Sequence, residues 1–311
     1  MSKEDIETLH VSVGYACNNA CIFCMESNIP GLYDSVRRLI SAGRMYRDMD
    51  THGHMRKVSF GRGEPTLNPD LPKYVAYAKK VGFRDIAVIS NGRRYADRDY
   101  CKTLIGSGVT EFIVSVHGHT KELHETLTRR KDSFAETTDG LKNLSDLKQE
   151  QSFRIVVNHV VNKTNCPFIG DFLKYMRGYS IDVIVLSVVQ PIWWGNRAKL
   201  FPALMPRYSD VAKRIDGIRR RNPEWFLPDA GGECVSIIDL PWCCSSPLVG
   251  NIGFKEKRVS EQDERAPDSL AVAGKSKGLR CRECVYDGIC DGVYDAYTSR
   301  FGWGEFVPVK R

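Results

Sequence analysis

The chain has 311 residues, of which 42% are hydrophobic and 27% are charged, a composition typical of a globular protein with a sizeable core. No stretch approaches the roughly eighteen apolar residues of a membrane span, and the opening MSKEDIETLH lacks the apolar core of a signal peptide. The 45 basic and 38 acidic residues give a formal charge of +7 without a basic tract. We therefore expect a cytoplasmic protein that neither crosses a membrane nor binds nucleic acid.

The six predicted strands span residues 9–16, 55–60, 83–90, 111–118, 153–161 and 181–189. Their apolar runs are typical of buried strands. Helical periodicity predicts helices at 71–82, 100–109, 137–149 and 168–179. This alternation indicates an α/β fold whose parallel sheet is connected by helices. Ligands of such sheets gather at the carboxyl ends of the strands, so we expect the polar loops after the strands to share one edge.

The pattern stops at about residue 228, and the remaining tail is rich in cysteine. We expect two units, a core at 1–228 and a cysteine-rich appendage at 229–311. The chain contains 11 cysteines. Because the cytosol keeps thiols reduced, clustered cysteines in a protein without an export signal point to metal binding rather than to disulfides.

The first cysteine group, CNNACIFC, follows the first predicted strand and contains Cys17, Cys21 and Cys24. Thiolates are preferred ligands of zinc and of iron-sulfur clusters. A structural zinc site requires four protein ligands, and on this loop alone His10 or His52 could complete one.

The motifs after the next two strands extend this pattern. Gly63, Glu64 and Pro65 follow the second strand, and Ser-Asn-Gly at 90–92 follows the third. Together with the cysteine loop they resemble the radical SAM superfamily over about residues 9–200. The resemblance implies a partial six-stranded (β/α) barrel, similar to a TIM barrel, with a 4Fe-4S cluster on the three cysteines. It also implies that S-adenosylmethionine (SAM) binds the open iron and is cleaved to a 5'-deoxyadenosyl radical, which abstracts hydrogen from a substrate.

The resemblance assigns further cofactor contacts. The Gly63-Glu64-Pro65 turn matches the motif that meets the methionyl amino group, mainly through backbone carbonyls, although Arg62 replaces the usual first glycine. The other expected SAM contacts are Asn91, Ser115, Arg130 and Asn158. Ordinary structural roles compete at three of them, because Ser115 could end a strand, Asn158 could satisfy a turn and Arg130 could be a solvated charge.

The second cysteine group lies in the tail, where Cys281, Cys284 and Cys290 have a Cys-x2-Cys-x5-Cys spacing. This resembles the auxiliary-cluster region called SPASM, or Twitch in its shorter form. Tyr294 stands where the longer form has another cysteine, which favours a single auxiliary 4Fe-4S cluster. Cys243 is the favoured fourth ligand, with Cys244 and Cys234 as alternatives. Zinc is the competing occupant of such a four-cysteine site.

The functional expectation is a radical SAM oxidoreductase supplied with electrons by a donor such as flavodoxin or ferredoxin. Only sixteen residues precede Cys17, too few to fold as a peptide-binding module. That favours a small-molecule biosynthetic substrate over a peptide, although a peptide-modifying maturase remains the alternative. A non-catalytic zinc-binding or iron-sulfur protein is the alternative of another class.

Overall fold

We describe a computed structural model of the chain at residues 7–24, 41–191, 200–226, 234–244, 257–259 and 274–310. Ten strands lie in this part of the chain: β1 (Glu7–Ser12), β2 (Lys57–Gly61), β3 (Asp85–Ser90), β4 (Glu111–Ser115), β5 (Arg154–Val161), β6 (Val183–Val188), β7 (Cys234–Ile238), β8 (Lys257–Val259), β9 (Lys275–Ser276) and β10 (Val293–Tyr294).

Nine α-helices are described: α1 (Ala42–Thr51), α2 (Leu71–Val81), α3 (Arg98–Ser107), α4 (Lys121–Thr128), α5 (Ser133–Leu147), α6 (Ile169–Met176), α7 (Phe201–Leu204), α8 (Tyr208–Arg221) and α9 (Asp295–Phe301). No helix in the described ranges is long and apolar enough to cross a bilayer.

The strands β1 to β8 form one parallel sheet in the order β7-β6-β5-β4-β3-β2-β1-β8. Within the described residues the edge strands β7 and β8 do not pair with each other, so the sheet is open. This confirms the predicted α/β fold with a partial, TIM-like sheet. All six predicted strands are present, and β7 and β8 are additional.

Local signals in the sequence set the ends of the helices. Asp97 accepts hydrogen bonds from the backbone N–H groups of Asp99 and Tyr100 and so caps the start of α3. Helices α2 and α3 both end at a glycine in the left-handed region, Gly82 and Gly108. After each of these two glycines a short connection returns the chain to the sheet, at β3 and β4 respectively.

The core lies between the sheet and its helices, where residues such as Val88 and Phe112 are completely buried. The tail packs onto this core through α9. The Tyr297 ring stacks on Tyr208 of α8 with centroids 4.1 Å apart. Its hydroxyl accepts a hydrogen bond from the Tyr208 N–H at 2.9 Å and donates one to Glu305. The cysteine-rich tail is therefore fixed against α8.

Candidate metal centre

The first cysteine group forms the loop that leaves the carboxyl end of β1. Cys17 is exposed, Cys21 and Cys24 are half-buried, and all three are free thiols. The N–H of Cys24 donates to the Cys21 carbonyl at 3.2 Å, which closes a tight turn between these two cysteines. The thiols are thus available at the edge of the sheet where a parallel fold binds its ligands.

Backbone hydrogen bonds attach this loop to the end of α4. Ala20 N–H donates to the Thr128 carbonyl at 2.9 Å, and Ile22 N–H donates to the Leu127 carbonyl at 3.0 Å. Both acceptors belong to the last turn of α4, whose carbonyls have no partner within the helix. The free carbonyls at the end of α4 and the N–H groups of the loop therefore find their hydrogen-bond partners in each other.

Arg93 attaches the loop to the segment after β3. Its guanidinium donates to the Asn18 carbonyl at 2.7 Å and to the Asn19 side chain at 3.2 Å. The same side chain is mostly buried and forms an ion pair with Glu136 of α5. Arginine suits this position because its planar group can donate to several acceptors at once.

The Glu64 carboxylate joins the loops that follow β2 and β3. One oxygen accepts hydrogen bonds from the Thr66 N–H at 3.1 Å, the Thr66 hydroxyl at 2.6 Å and the Ser90 hydroxyl at 2.7 Å. The other oxygen accepts from the Asn91 N–H at 2.7 Å. Burial raises the pKa of the Glu64 carboxyl, and these hydrogen bonds oppose that shift. The side chain of Glu64 therefore acts inside the protein, holding the two loops together.

Gly63 brings the loop after β2 against the start of the cysteine loop. Its φ is +53°, and a Cβ built there would lie 2.6 Å from both the Tyr15 carbonyl carbon and the Ala16 oxygen. The next N–H, that of Glu64, donates to the same Ala16 oxygen at 2.8 Å. Arg62 also has a positive φ, of 62°. A non-glycine residue in this region is strained, so the departure from the usual motif is accommodated at a cost.

Asn91 links the loop after β3 to the first cysteine. Its side-chain amide donates to the Asn18 side chain at 2.6 Å and lies 4.0 Å from the Cys17 sulfur. The Asn19 N–H points to the same sulfur at 3.4 Å. Thr137 fixes the backbone by donating to the Asn91 carbonyl at 2.9 Å. N–H groups directed at a thiolate are the environment expected around a cluster ligand.

The remaining expected SAM contacts are Ser115, Asn158 and Arg130. Ser115 ends β4 and is the register partner of Asn158, which lies within β5 three residues before its end. Both side chains are half-buried, and neither forms a hydrogen bond within the described residues. Arg130 is exposed just after α4, and its carbonyl accepts from Ser133 at 2.8 Å. The fold brings Ser115 and Asn158 together, whereas Arg130 stands on the surface.

Three buried histidines pack behind the cysteine loop. The His117 ring lies 6.1 Å from that of His124 and 6.3 Å from that of His159, and it meets the Phe23 ring edge-on at 4.7 Å. Burial lowers the pKa of all three, to about 4 for His124 and about 3 for His159. His117 accepts a hydrogen bond from the Val160 N–H. The rings are therefore neutral at pH 7, and they pack against the cysteine loop.

The second cysteine group lines a small cavity in the tail. The cavity has a volume of about 20 Å³. Its cysteines are Cys243, Cys281, Cys284 and Cys290. The Trp242 ring, which lines the same cavity, stacks on Tyr286 with centroids 5.0 Å apart. The four thiols named from the sequence are thus gathered in one place.

The alternative fourth cysteines are placed differently. Cys244 does not line the cavity, and its side-chain hydrogen bond with Cys243 raises the pKa of Cys244 and lowers that of Cys243. Cys234 begins β7, about 13 Å of strand before the carboxyl end that leads to Cys243. Both observations favour Cys243.

Zinc and an iron-sulfur cluster both take four thiolates, so the donor set alone suits either. In the ranges that the structure describes, no three His, Cys, Asp or Glu side chains converge as the ligands of one ion would. His10 and His52 are the two histidines that could complete a zinc site on the first cysteine group. The His10 ring is hydrogen-bonded to Ser59, and the His52 ring is hydrogen-bonded to the Asp48 carbonyl.

Comparison with known proteins decides the family. The model of the Radical SAM superfamily matches residues 11–185, which is more than half of the chain. The chain belongs to the radical SAM superfamily. Curated relatives named "Probable GTP 3',8-cyclase" include one from Sulfolobus acidocaldarius, 26% identical over 62% of this chain and 59% of its own length. Another, from Saccharolobus islandicus, is 27% identical over 62% of this chain and 60% of its own length. The chain thus spans about three fifths of these relatives.

Solved structures share the fold at low sequence identity. SuiB from Streptococcus suis, bound to S-adenosylmethionine, has a TM-score of 0.65 and 13% identity, and the match covers 98% of this chain and 76% of SuiB. A radical SAM methyltransferase from Sphaerobacter thermophilus has a TM-score of 0.54 and 17% identity, with 74% of this chain and 65% of that protein covered.

Sequence reasoning missed Arg93 and His159 in this radical SAM core. Arg93 follows directly after the Ser-Asn-Gly motif, and this position next to the motif is the sequence signal that could have identified it as a site residue. His159 is buried on β5 and bonds to the Val116 carbonyl at 2.8 Å. A histidine inside an apolar strand carries no sequence signal that separates it from other core residues.

Gly63→Ala should destabilise the protein by about 2 kcal/mol or more, because the new methyl group collides with backbone at a left-handed residue. Gly61→Ala is the matched control, since its Cβ meets only Ile89 atoms, at 3.6 Å and beyond. Urea unfolding measures both variants, and hydrogen exchange reports whether the Ala20 and Ile22 amides open in Gly63→Ala. Equal effects of the two substitutions would contradict this role of Gly63.

His124→Asn should make the protein less sensitive to acid. Because burial lowers the pKa of His124 to about 4, the neutral ring stabilises the fold above its unfolded pKa of about 6.5, and this contribution is lost as the pH falls towards 4. At pH 5 the free energy of unfolding is therefore lower by about 2 kcal/mol than at neutral pH because of this residue. Asparagine keeps an acceptor for the His117 N–H, which now bonds His124 at 3.3 Å.

Urea unfolding at pH 7 and pH 5 tests this prediction. The stability difference between the two pH values should shrink in His124→Asn and stay unchanged in His54→Asn, which removes an exposed ring. An unchanged pH difference in His124→Asn would show that the ring is not held neutral by burial.

Proposed function

We propose that the chain is a radical SAM enzyme that binds a 4Fe-4S cluster through Cys17, Cys21 and Cys24. The observation that carries the proposal is the fixation of this loop by the segments after β2, β3 and α4. When bound, the cluster and SAM supply a 5'-deoxyadenosyl radical, which takes a hydrogen atom from the substrate. The protein holds the loop rigid, directs the Asn19 N–H at one thiol, and leaves the loop cysteines at the ligand-binding edge.

The turn at 63–65 is the proposed site for the methionyl amino group. The backbone carbonyls of the turn are the proposed acceptors for this amino group, because the Glu64 side chain already accepts hydrogen bonds from Thr66, Ser90 and Asn91. Ser115 and Asn158 are proposed to meet the ribose or methionyl part, and Arg130 to pair with the carboxylate from the surface. The roles of Ser115 and Asn158 are supported by their pairing in adjacent strands of the sheet, whereas Arg130 lies on the surface after α4.

The tail cavity is the proposed site of an auxiliary 4Fe-4S cluster on Cys243, Cys281, Cys284 and Cys290. Its role would be to accept or donate an electron at the substrate radical, with flavodoxin or ferredoxin as the external donor. Zinc is the competing occupant, because it also takes four thiolates. The division into a core at 1–228 and an appendage at 229–311 stays a proposal, although β7 adds residues 234–238 to the core sheet.

The substrate is proposed to be a small-molecule biosynthetic intermediate. The names of the sequence relatives, GTP 3',8-cyclases, agree with a small molecule. A peptide is the second candidate, since SuiB of the same fold was crystallised with its precursor peptide SuiA. A basic groove beside the core, described below, also favours a polypeptide ligand.

Cleavage of SAM tests the proposal. Anaerobically reconstituted wild type with dithionite should convert SAM to 5'-deoxyadenosine and methionine, and Cys21→Ala or Cys24→Ala should reduce this to background. Cys101→Ser is the control, because its buried thiol bonds only the Tyr95 carbonyl, a contact that serine can keep. Cys284→Ala should retain cleavage, because the tail site lies outside the first cysteine group. Cleavage by Cys24→Ala at the wild-type rate would refute the assignment.

A further inference from the structure

A basic groove lies outside both cysteine sites, between α8, the loop after β5 and Phe301 of α9. Its volume is about 740 Å³. The charged side chains that line it are Lys163, Arg207, Asp210, Lys213, Arg214 and Arg221. Five cations and one carboxylate therefore line the groove, and one of the cations, Arg207, is also paired with Glu305 at 3.7 Å.

The charges are spread along the groove rather than gathered at one point. The lining positions 210, 213, 214, 217 and 221 recur at helical spacing on one face of α8. The twelve residues from 210 to 221 span about 16 Å of helix, the length of about five residues of extended chain. Gly217 stands in the middle and has no side chain to fill the groove, and the closest atom to a Cβ built there is the Arg221 guanidinium at 3.7 Å.

The two faces of α8 differ in their ion pairs. Away from the groove, Arg219 and Arg220 each bond to Asp216 at 2.8 Å. In the groove, Lys213 and Arg221 have no carboxylate partner within the described part of the chain. Cations that are exposed together without counter-charges attract an anionic ligand.

The floor of the groove is apolar. Met205 and Pro206 are buried beneath it. At one end the Arg207 guanidinium lies 4.9 Å over the Phe301 ring. A free phosphate group would use neither this floor nor the length of the charged track. An extended peptide uses both, because alternate side chains of a strand point to opposite sides.

We propose that this groove binds an acidic, extended polypeptide segment, with its carboxylates on the cations of α8 and its apolar side chains on the floor. The groove reaches the ligand-binding edge of the sheet through Lys163, which lies two residues after the end of β5. Asn165 in the same loop donates to the His117 carbonyl at 3.2 Å, beside the cysteine loop. The proposal does not depend on the radical chemistry, since it concerns binding by the chain alone.

Fluorescence anisotropy with a labelled peptide of alternating glutamate and leucine tests the proposal on the full chain. Wild type should bind this peptide and not the version with lysine in place of glutamate, and added salt should weaken binding. Lys213→Glu with Arg221→Glu should weaken it about tenfold. Lys142→Glu with Lys80→Glu is the matched control, with the same charge change at exposed mid-helix and last-turn positions, and should bind as wild type does.

Three results would overturn the proposal: equal weakening by both double variants, equal binding of the lysine peptide, or competition by pyrophosphate or GTP as strong as that by unlabelled acidic peptide. The last would assign the groove to a small anion. If the charge reversals impair folding, the neutral pair Lys213→Gln and Arg221→Gln replaces them, with a smaller weakening expected in the same direction. SAM cleavage is measured separately, so failure here leaves the proposed function standing.

Discussion

The buried carboxylate of Glu64 is the constraint on which the edge of the sheet depends. A carboxylate in a protein interior is costly unless hydrogen bonds replace its water, and here four donors from Thr66, Ser90 and Asn91 do so. Because these donors come from the loop after β2, from the last residue of β3 and from the loop after it, the hydrogen bonds of one carboxylate fix the loops after both strands. The cysteine loop then lies on both, through the Glu64 N–H and through Asn91 and Arg93.

Strain is concentrated at the same place. Arg62 and Gly63 both adopt positive φ, and only this conformation brings the backbone within reach of Ala16. Glycine is required at 63 by the lack of space, whereas at 62 an arginine is tolerated. The surrounding hydrogen bonds stabilise a backbone conformation that these residues would not adopt by themselves.

Much of the fold and part of the site follow from the sequence. The six core strands were predictable because buried parallel strands are continuous apolar runs. The β7 strand was missed because its five residues, starting at Cys234, lie in a stretch whose composition indicates a metal-binding tail. The three-residue β8 is too short for any pattern. Arg93 and His159 were missed since their roles come from tertiary neighbours, which no local spacing reveals.

Strands of one sheet lead to a member of each cysteine group, since β1 precedes Cys17 and β7 precedes Cys243. The loop after β5 likewise connects the basic groove with the cysteine loop, because it contains Lys163 of the groove and Asn165, which bonds to His117 beside the cysteine loop. A parallel sheet produces this concentration because all its strands end at the same edge, while the helices and their capping residues cover the rest. Segments that are distant in the sequence, such as the cysteine loop and the loops after β2 and β3, are therefore brought together by the topology of the sheet.

The most direct test of this account is the iron, sulfide and zinc content per chain after anaerobic reconstitution, compared between wild type and the Cys17→Ala, Cys21→Ala, Cys24→Ala triple variant. The account predicts about eight irons in wild type and about four in the variant, one cluster for each cysteine group. About four irons falling to none would restrict iron to the first group and contradict the auxiliary cluster. Zinc in place of iron in both groups would contradict the account as a whole.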